Sequence, residues 1–132
     1  MVQISGSYQA VSNENFLEYI KSFAVADEIA EKIANSKTPV VIEEEGDDKI
    51  TITYGGQPTT YVYGQAVDVT LPTGSTVKAI ATRNGNTITF NSTSIKNADV
   101  KETKTFEFSD SGLTSTSVNH KGLKAAVHYK RL

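Results

Sequence analysis

The side chains of this chain that could carry out chemistry are few, and their spacing does not match a catalytic or metal centre. The sequence has two histidines and no cysteine, which excludes disulfides and thiolate chemistry. It has no Gly-x-Ser-x-Gly turn to expose a serine nucleophile, and no histidine pair at a metal-ligand spacing. We therefore expect no catalytic residue, no metal site and no cofactor, and an enzyme is not predicted.

The closing stretch GLKAAVHYKRL, residues 122–132, has the alternation of a last β-strand. Its apolar face carries Leu123, Ala125, Val127 and Tyr129. The opposite face carries Lys124, His128 and Lys130, so His128 is predicted to point to solvent. The Val127 face therefore meets either a solid core or a cavity, and in a cavity the lack of charge at Val127 would restrict the ligand.

Short runs rich in Val, Ile, Thr and Tyr, separated by turn residues, predict the strands that hold this face. The run VKAIATRNGNTITF is typical of a hairpin, with Asn84-Gly85 as a two-residue type I′ turn. Many such runs at short intervals indicate an antiparallel sheet in which neighbours in sequence are neighbours in space.

One segment, residues 13–39, has helical spacing instead. Its apolar residues are Phe16, Ile20, Phe23, Ile29 and Ile33. Asn13 and Asp27 are the predicted N-caps of two short helices, which together cover about residues 14–36. Helices this short are unstable alone in water, so they must pack on the sheet. A sheet closed on itself with the helix pair over one end satisfies both elements.

The predicted inner faces mix small and hydroxyl-bearing residues with apolar ones. Ile50, Ile52 and Tyr54 share one face of their strand, and Tyr61 and Tyr63 share one face of the next. A dry core is usually dominated by Leu, Ile, Val and Phe, so this mixture favours a wet or ligand-filled interior. The alternative is a filled barrel that serves as a structural or interaction protein.

Several short motifs, in order along the chain, resemble those of the intracellular fatty-acid-binding proteins, which include the cellular retinoid carriers. They are GSY (Gly6, Tyr8), NFLEYIKSF, ANSKTP, VKA and the final VHYKRL. The resemblance implies an all-β fold of the calycin type, a ten-stranded antiparallel up-and-down β-barrel with a two-helix lid between the first two strands. It also implies one lipid-binding domain over residues 1–132 and a non-catalytic carrier.

The resemblance also locates the ligand. The family usually holds a ligand carboxylate with an Arg-x-Tyr pair in the last strand and a second arginine in an earlier strand. Tyr129 matches the tyrosine, whereas Val127 and Phe106 stand at the two arginine positions. Lys104, which shares strand parity with Phe106, and Arg83 are the cations that could replace them.

The complete set of predicted site residues follows from this comparison and from the inner faces. The predicted ligand-binding residues are Phe16, Tyr19, Ile33, Ile52, Tyr54, Tyr61, Tyr63, Lys104, Phe106, Val127 and Tyr129. The predicted portal residues are Phe23, Val25, Ile29, Thr73 and Gly74.

The missing arginines bear on the ligand's head group. A buried alkyl chain of about sixteen methylenes supplies affinity without them, whereas an ionised carboxylate without a partner would be costly to bury. The hypothesis is a ligand with a neutral head group, such as an alcohol, an ester or a retinoid, or one that binds with its head at the portal.

Charge and composition restrict the partners. A formal net charge of −2 and the absence of tryptophan argue against nucleic acid. The start MVQISGSYQA is unlike a signal peptide, and no stretch is long enough to span a membrane, so a cytoplasmic monomer is expected. The helical segment has more acidic than basic residues, which predicts at most transient membrane contact and ligand exchange through water.

Overall fold

The structure, a computed structural model, describes residues 3–23, 25–36, 38–54, 56–70 and 75–132. The first five strands are β1 (Gly6–Glu14), β2 (Val40–Glu45), β3 (Lys49–Tyr54), β4 (Gln57–Val62) and β5 (Ala66–Thr70). The others are β6 (Thr76–Asn84), β7 (Thr87–Ser94), β8 (Lys101–Phe108), β9 (Gly112–Asn119) and β10 (Lys124–Arg131). Two helices, α1 (Phe16–Lys21) and α2 (Asp27–Ala34), lie between β1 and β2.

All ten strands form one antiparallel sheet that curls into a near-closed barrel. Their order is β4-β3-β2-β1-β10-β9-β8-β7-β6-β5, so the first strand pairs with the last. Within the described residues β4 and β5 are the two ends of this order, and no ladder joins them. The predicted fold is confirmed, with a seam between β4 and β5.

Side chains alternate between the inside of the barrel and solvent, as a period of two requires. In β6 the pattern is regular: Val77, Ala79 and Ala81 are buried, and Lys78 and Ile80 are exposed. The face that carries the buried cluster is called the inner face below. Of the residues predicted to point inward, those of β3, β8 and β10 lie on it except Leu123, and so do Tyr61 of β4 and Tyr63 just after β4.

The helical segment differs from the prediction at its boundaries. β1 continues through Asn13 and Glu14, because these residues still pair with Val127 and Ala126 of β10. Asn13 is therefore not an N-cap, and α1 instead follows Asn15, which has a positive φ of 59°. Asp27 is the first residue of α2 rather than its cap, and the two predicted helices are confirmed over narrower ranges than 14–36.

Two further boundaries are corrected. Asn84 pairs with Thr87, so the two turn residues are Gly85 and Asn86 rather than Asn84 and Gly85. Of these only Gly85 has a positive φ, at 62°, which indicates a type II′ turn instead of type I′. Leu123 precedes β10 and is exposed, so it does not belong to the inner face of the last strand.

The two ends of the barrel differ. We call the end at which α1 and α2 lie the lid end, and the opposite end the far end. At the far end the guanidinium of Arg131 donates hydrogen bonds to the carbonyl oxygens of Gln3, Ser5 and Ser109. Its central carbon also lies 5.0 Å from the centre of the Tyr8 ring. These contacts close the far end beneath the last strand.

No helix in the described part of the chain has the length and apolar character needed to cross a membrane.

Candidate ligand-binding site

The two positions at which the family's arginines are expected lie in one row across the inner face. Phe106 of β8 pairs with Ser115 of β9, and Ser115 pairs in turn with Val127 of β10. Phe106 and Val127 are therefore two strand spacings apart, or roughly 10 Å. All three side chains are buried. The row offers one hydroxyl group and no charge.

Phe106 belongs to a chain of aromatic rings that crosses the interior. The rings of Tyr61 and Phe90 are 5.0 Å apart, and Phe90 and Phe106 are also 5.0 Å apart. Phe108 continues the chain, 6.2 Å from Phe106 and 5.9 Å from Tyr8. Each pair is edge-to-face, the arrangement that aromatic quadrupoles favour. Phe106 is thus a packed core residue as well as a predicted ligand contact.

Tyr129 lies one row closer to the far end, beside Leu113 of β9. Burial, with a smaller contribution from the neighbouring Tyr54, raises the pKa of its hydroxyl to about 12. Among the described residues this hydroxyl has no hydrogen-bond partner, and the same is true of the Tyr61 hydroxyl, whose pKa burial also raises to about 12. Both phenols stay neutral and can donate or accept a hydrogen bond.

The row on the lid side of Phe106 contains the first internal cation. Lys104 pairs with Ser117 of β9, and its Nζ lies 3.9 Å from Oε1 of Glu102 on the same strand. The other carboxylate oxygen of Glu102 accepts a 2.7 Å hydrogen bond from the hydroxyl of Tyr19 on α1. Burial raises the Tyr19 pKa, and the Glu102 charge adds to the effect.

A second internal ion pair lies toward the far end. Nε of Arg83 is 3.1 Å from Oε2 of Glu44, although it is not aligned to donate a hydrogen bond to any described atom. The hydroxyl of Tyr63 donates to the same Glu44 oxygen at 3.0 Å. Burial and the Glu44 charge raise the Tyr63 pKa. The cluster links β2 and β6 across the seam.

Each inward cation among the described residues is therefore held by a partner. Lys104 pairs with Glu102, Arg83 pairs with Glu44, and the guanidinium of Arg131 donates to three carbonyl oxygens at the far end. A ligand carboxylate would have to replace the carboxylate partner of Lys104 or Arg83, at a cost in free energy.

Packing inside the barrel is uneven. Inward side chains of β6 to β10 are mostly buried, whereas in β3 to β5 only Ile50 and Tyr61 are buried and the others are partly buried. The partly buried ones are Ile52, Tyr54, Thr59, Tyr63, Val67 and Val69. Inward residues that remain accessible indicate that the interior is open to solvent beside the seam.

The predicted lid and portal residues are in different environments. Tyr19 is buried, and the ring of Phe23 lies 5.3 Å from the Tyr19 ring. Phe16, Val25 and Ile33 are half-buried. Ile29 of α2 is 41% exposed, which is high for a large apolar residue. Thr73 and Gly74 lie outside the described residues.

Sequence reasoning missed the two carboxylates of the inner face. Glu102 has the same strand parity as Lys104, and Glu44 the same parity as Ile42, so alternation alone would have placed both inside. Sequence reasoning also missed three buried polar residues of β9, which alternation likewise places inside: Ser115, Ser117 and Asn119.

The part of the chain that the structure describes contains no group of three His, Asp or Glu side chains close enough to hold a metal ion. The residues brought together on the inner face are hydroxyls, rings and paired charges, which suit binding of an organic molecule rather than metal chemistry.

Comparison with known proteins agrees with this geometry. No family model matches the chain. Over 88 residues it is 36% identical to fatty acid binding protein 1-B.1 of Danio rerio, an alignment that covers 64% of this chain and 69% of that protein. It is 38% identical over 85 residues to the liver-type fatty acid-binding protein of Epinephelus coioides, with 62% and 67% covered.

Solved structures agree on the fold. The fluorescent protein UnaG superposes with a TM-score of 0.86 at 18% identity, and 98% of this chain and 97% of that one are covered. The fatty-acid-binding protein of Manduca sexta superposes with a TM-score of 0.81 at 24% identity, with 96% and 97% covered. The chain belongs to the fatty-acid-binding protein family, whose members are non-catalytic lipid-binding proteins.

Proposed function

We propose that this protein carries a small hydrophobic ligand with a neutral head group inside its barrel. The observation that carries the proposal is the pairing of Lys104 with Glu102 and of Arg83 with Glu44, which neutralises both of these inward cations. Relatives named fatty acid-binding proteins support a lipid as the ligand class.

Affinity would come mainly from the ligand's alkyl or polyene chain. Burying about sixteen methylenes at roughly 0.8 kcal/mol each gives an upper bound on the order of 13 kcal/mol, before the cost of ordering the ligand. The half-buried side chains beside the seam, such as Ile52 and Val67, are suitable contacts for this part of the ligand.

The head group would be recognised by neutral hydrogen-bonding groups. The hydroxyls of Tyr129 and Ser115 lie on the inner face in adjacent rows, and each can donate to an ester or accept from an alcohol. An ionised carboxylate at the same place would have to displace Glu102 from Lys104, or lose hydration without a partner. A fatty acid is therefore the less favoured ligand.

The test compares two ligands that differ only in the head group. Oleyl alcohol and oleate are titrated into the delipidated protein at neutral pH, by calorimetry or by displacement of a hydrophobic dye. We expect the alcohol to bind at least as tightly as the acid. A clear preference for oleate would refute the neutral head group.

A second measurement separates a carrier from a filled barrel. Mass spectrometry of an organic extract of the purified protein is expected to detect lipid in near-stoichiometric amount. No extracted lipid, together with no binding of dye or either ligand, would favour the structural role. A monomeric, cytoplasmic carrier remains part of the proposal.

A further inference from the structure

Among the described residues, Glu102 pairs with Lys104, the inward cation one row from Ser115. We propose that Glu102 is the residue that sets head-group specificity: by holding Lys104 in an internal ion pair it excludes acidic ligands and admits neutral ones. The inference rests on the proposed function, because it assigns the head-group preference to one side chain.

The row formed by Phe106, Ser115 and Val127 is called the head-group row below. Lys104 lies beside it. Lys104 lies on the same face of β8 as Phe106, one row nearer to the lid. Its partner across the ladder is Ser117, which neighbours Ser115 on the inner face of β9. A ligand head at Ser115 would therefore lie one row from Lys104, with a backbone spacing of about 7 Å along the strand.

Glu102 has one carboxylate oxygen for each of its two partners. Oε1 faces Nζ of Lys104 at 3.9 Å, and Oε2 accepts from the Tyr19 hydroxyl at 2.7 Å. The Glu102 side chain is 22% exposed and that of Lys104 is 35% exposed, so water screens the pair only in part. In such a setting the carboxylate cancels most of the lysine's attraction for a second anion.

Tyr19 fixes Glu102 in this place. Its side chain is 2% exposed, and the phenol is anchored in α1, so Glu102 cannot move away without breaking a short hydrogen bond. A ligand carboxylate that approached Lys104 would compete with a preorganised carboxylate and would also be repelled by it. A neutral alcohol or ester meets neither obstacle.

The decisive variant is Glu102→Gln. The amide oxygen of glutamine can still accept from Tyr19, but the negative charge is lost and Lys104 becomes an unneutralised inward cation. The ratio of the oleate to the oleyl alcohol dissociation constants is expected to fall about tenfold or more, since one close charge shifts such equilibria by this amount. The alcohol affinity should change little.

Two controls isolate the charge on the inner face. Glu107→Gln removes the same charge from the same strand, but Glu107 is exposed on the outer face, so the ratio should not change. The double variant Glu102→Gln/Lys104→Gln should lose the gain in oleate affinity. An unchanged ratio in folded Glu102→Gln, or a gain that persists in the double variant, would overturn the inference.

A variant with the opposite effect keeps the inference testable should Glu102→Gln not fold. Lys104→Gln leaves Glu102 as an internal anion without a cationic partner, so the affinity for oleate should fall further relative to that for the alcohol. An unchanged ratio would contradict the role of the pair.

If the wild type binds neither ligand, the proposed function fails. If the wild type binds the alcohol but no variant changes the ratio, only the present inference fails.

Discussion

Val127 and Phe106 stand at the two positions where the family usually has arginine, and the two side chains are packed differently. Val127 is 7% exposed and pairs with Ser115, so it presents a small apolar surface to the head-group row. Phe106 instead lies within the aromatic chain between Phe90 and Phe108. A charge can therefore be restored at Val127 with less disturbance than at Phe106, where two edge-to-face contacts would be lost.

The first residue-scale prediction is that Val127→Arg converts the protein toward acidic ligands. An inward guanidinium beside Ser115 can hold a carboxylate through two hydrogen bonds, so oleate affinity should rise about tenfold or more relative to oleyl alcohol. The free energy of unfolding should fall, because a charge replaces a buried valine. Calorimetry measures the two ligand affinities, and urea unfolding measures the free energy of unfolding.

The matched control is Ala126→Arg, which adds the same charge one residue away on the outer face of β10. It should leave the ratio of the two affinities unchanged. An equal rise in oleate affinity for both arginine variants would show that the effect comes from net charge, and would contradict the assignment of Val127 to the head-group row.

At the scale of residues, the sequence predicted which side chains point inward but not which of them form ion pairs or hydrogen bonds. A period of two placed Val127 on the apolar face of the last strand, the family resemblance placed Phe106 inside, and parity with Phe106 placed Lys104 there; the structure has all three on the inner face. It could not predict that Lys104 is neutralised, because the contact that fixes Glu102 comes from Tyr19, 83 residues away in the chain. Such contacts depend on how the barrel closes and not on local propensity.

At the scale of elements, the two helices of the lid are held differently. Ser22, just after α1, accepts a hydrogen bond from Asn119 on its hydroxyl and one from Lys121 on its carbonyl oxygen. With the Tyr19 bond to Glu102, these contacts fix α1 to β8 and β9. Within the described residues, the Tyr54 hydroxyl donates to Ser36 just after α2, and Nζ of Lys21 lies 4.0 Å from Asp27 at the start of α2.

Tyr19→Phe tests how strongly α1 is anchored. The variant removes a hydrogen bond to an ionised group, which should lower the free energy of unfolding by about 1.5 kcal/mol or more. Tyr61→Phe serves as the control, because the Tyr61 hydroxyl has no partner among the described residues and its loss should cost less. Urea unfolding at neutral pH measures both, and equal losses would argue against the anchor.

The start of the first helix is a boundary that local sequence does not predict. Hydrophobic spacing predicted two helices correctly, but the chain before them contains Asn13 and Glu14, which look like a helix start. They instead remain in β1, because pairing with β10 satisfies their backbone groups. The competing ladder is formed by residues more than a hundred positions away, and no local signal reveals it.

At the scale of the whole molecule, the barrel has a packed side and an open side. Phe90, Phe106, Phe108 and Ile88 fill the β6 to β10 side, and partly buried residues line the β3 to β5 side beside the seam. The ion pair between Arg83 and Glu44 links β6 to β2 toward the far end. The alkyl part of the ligand is therefore expected between the seam and the lid, with its head directed toward Ser115 and Tyr129.

The tyrosines of the interior make stability depend on alkaline pH. Burial is the largest cause of a raised pKa at Tyr8, Tyr19, Tyr61, Tyr63 and Tyr129. Above the ordinary tyrosine pKa the unfolded chain releases these protons while the folded protein retains them. The unfolded state then binds fewer protons, so the free energy of unfolding decreases as the pH rises.

We therefore expect stability that is fully present below about pH 10 and is lost as the pH rises toward 12. For Tyr61 and Tyr129, a shift of the pKa from 10.0 to about 12 corresponds to at most roughly 3 kcal/mol each. Urea unfolding at a series of pH values, with tyrosinate absorbance recorded in parallel, measures the loss. Tyr61→Phe should make the dependence shallower, because one of the shifted protons is gone. A free energy of unfolding that stays constant up to pH 12, or tyrosines that all titrate near 10 in the folded protein, would contradict a barrel whose phenols are sealed inside.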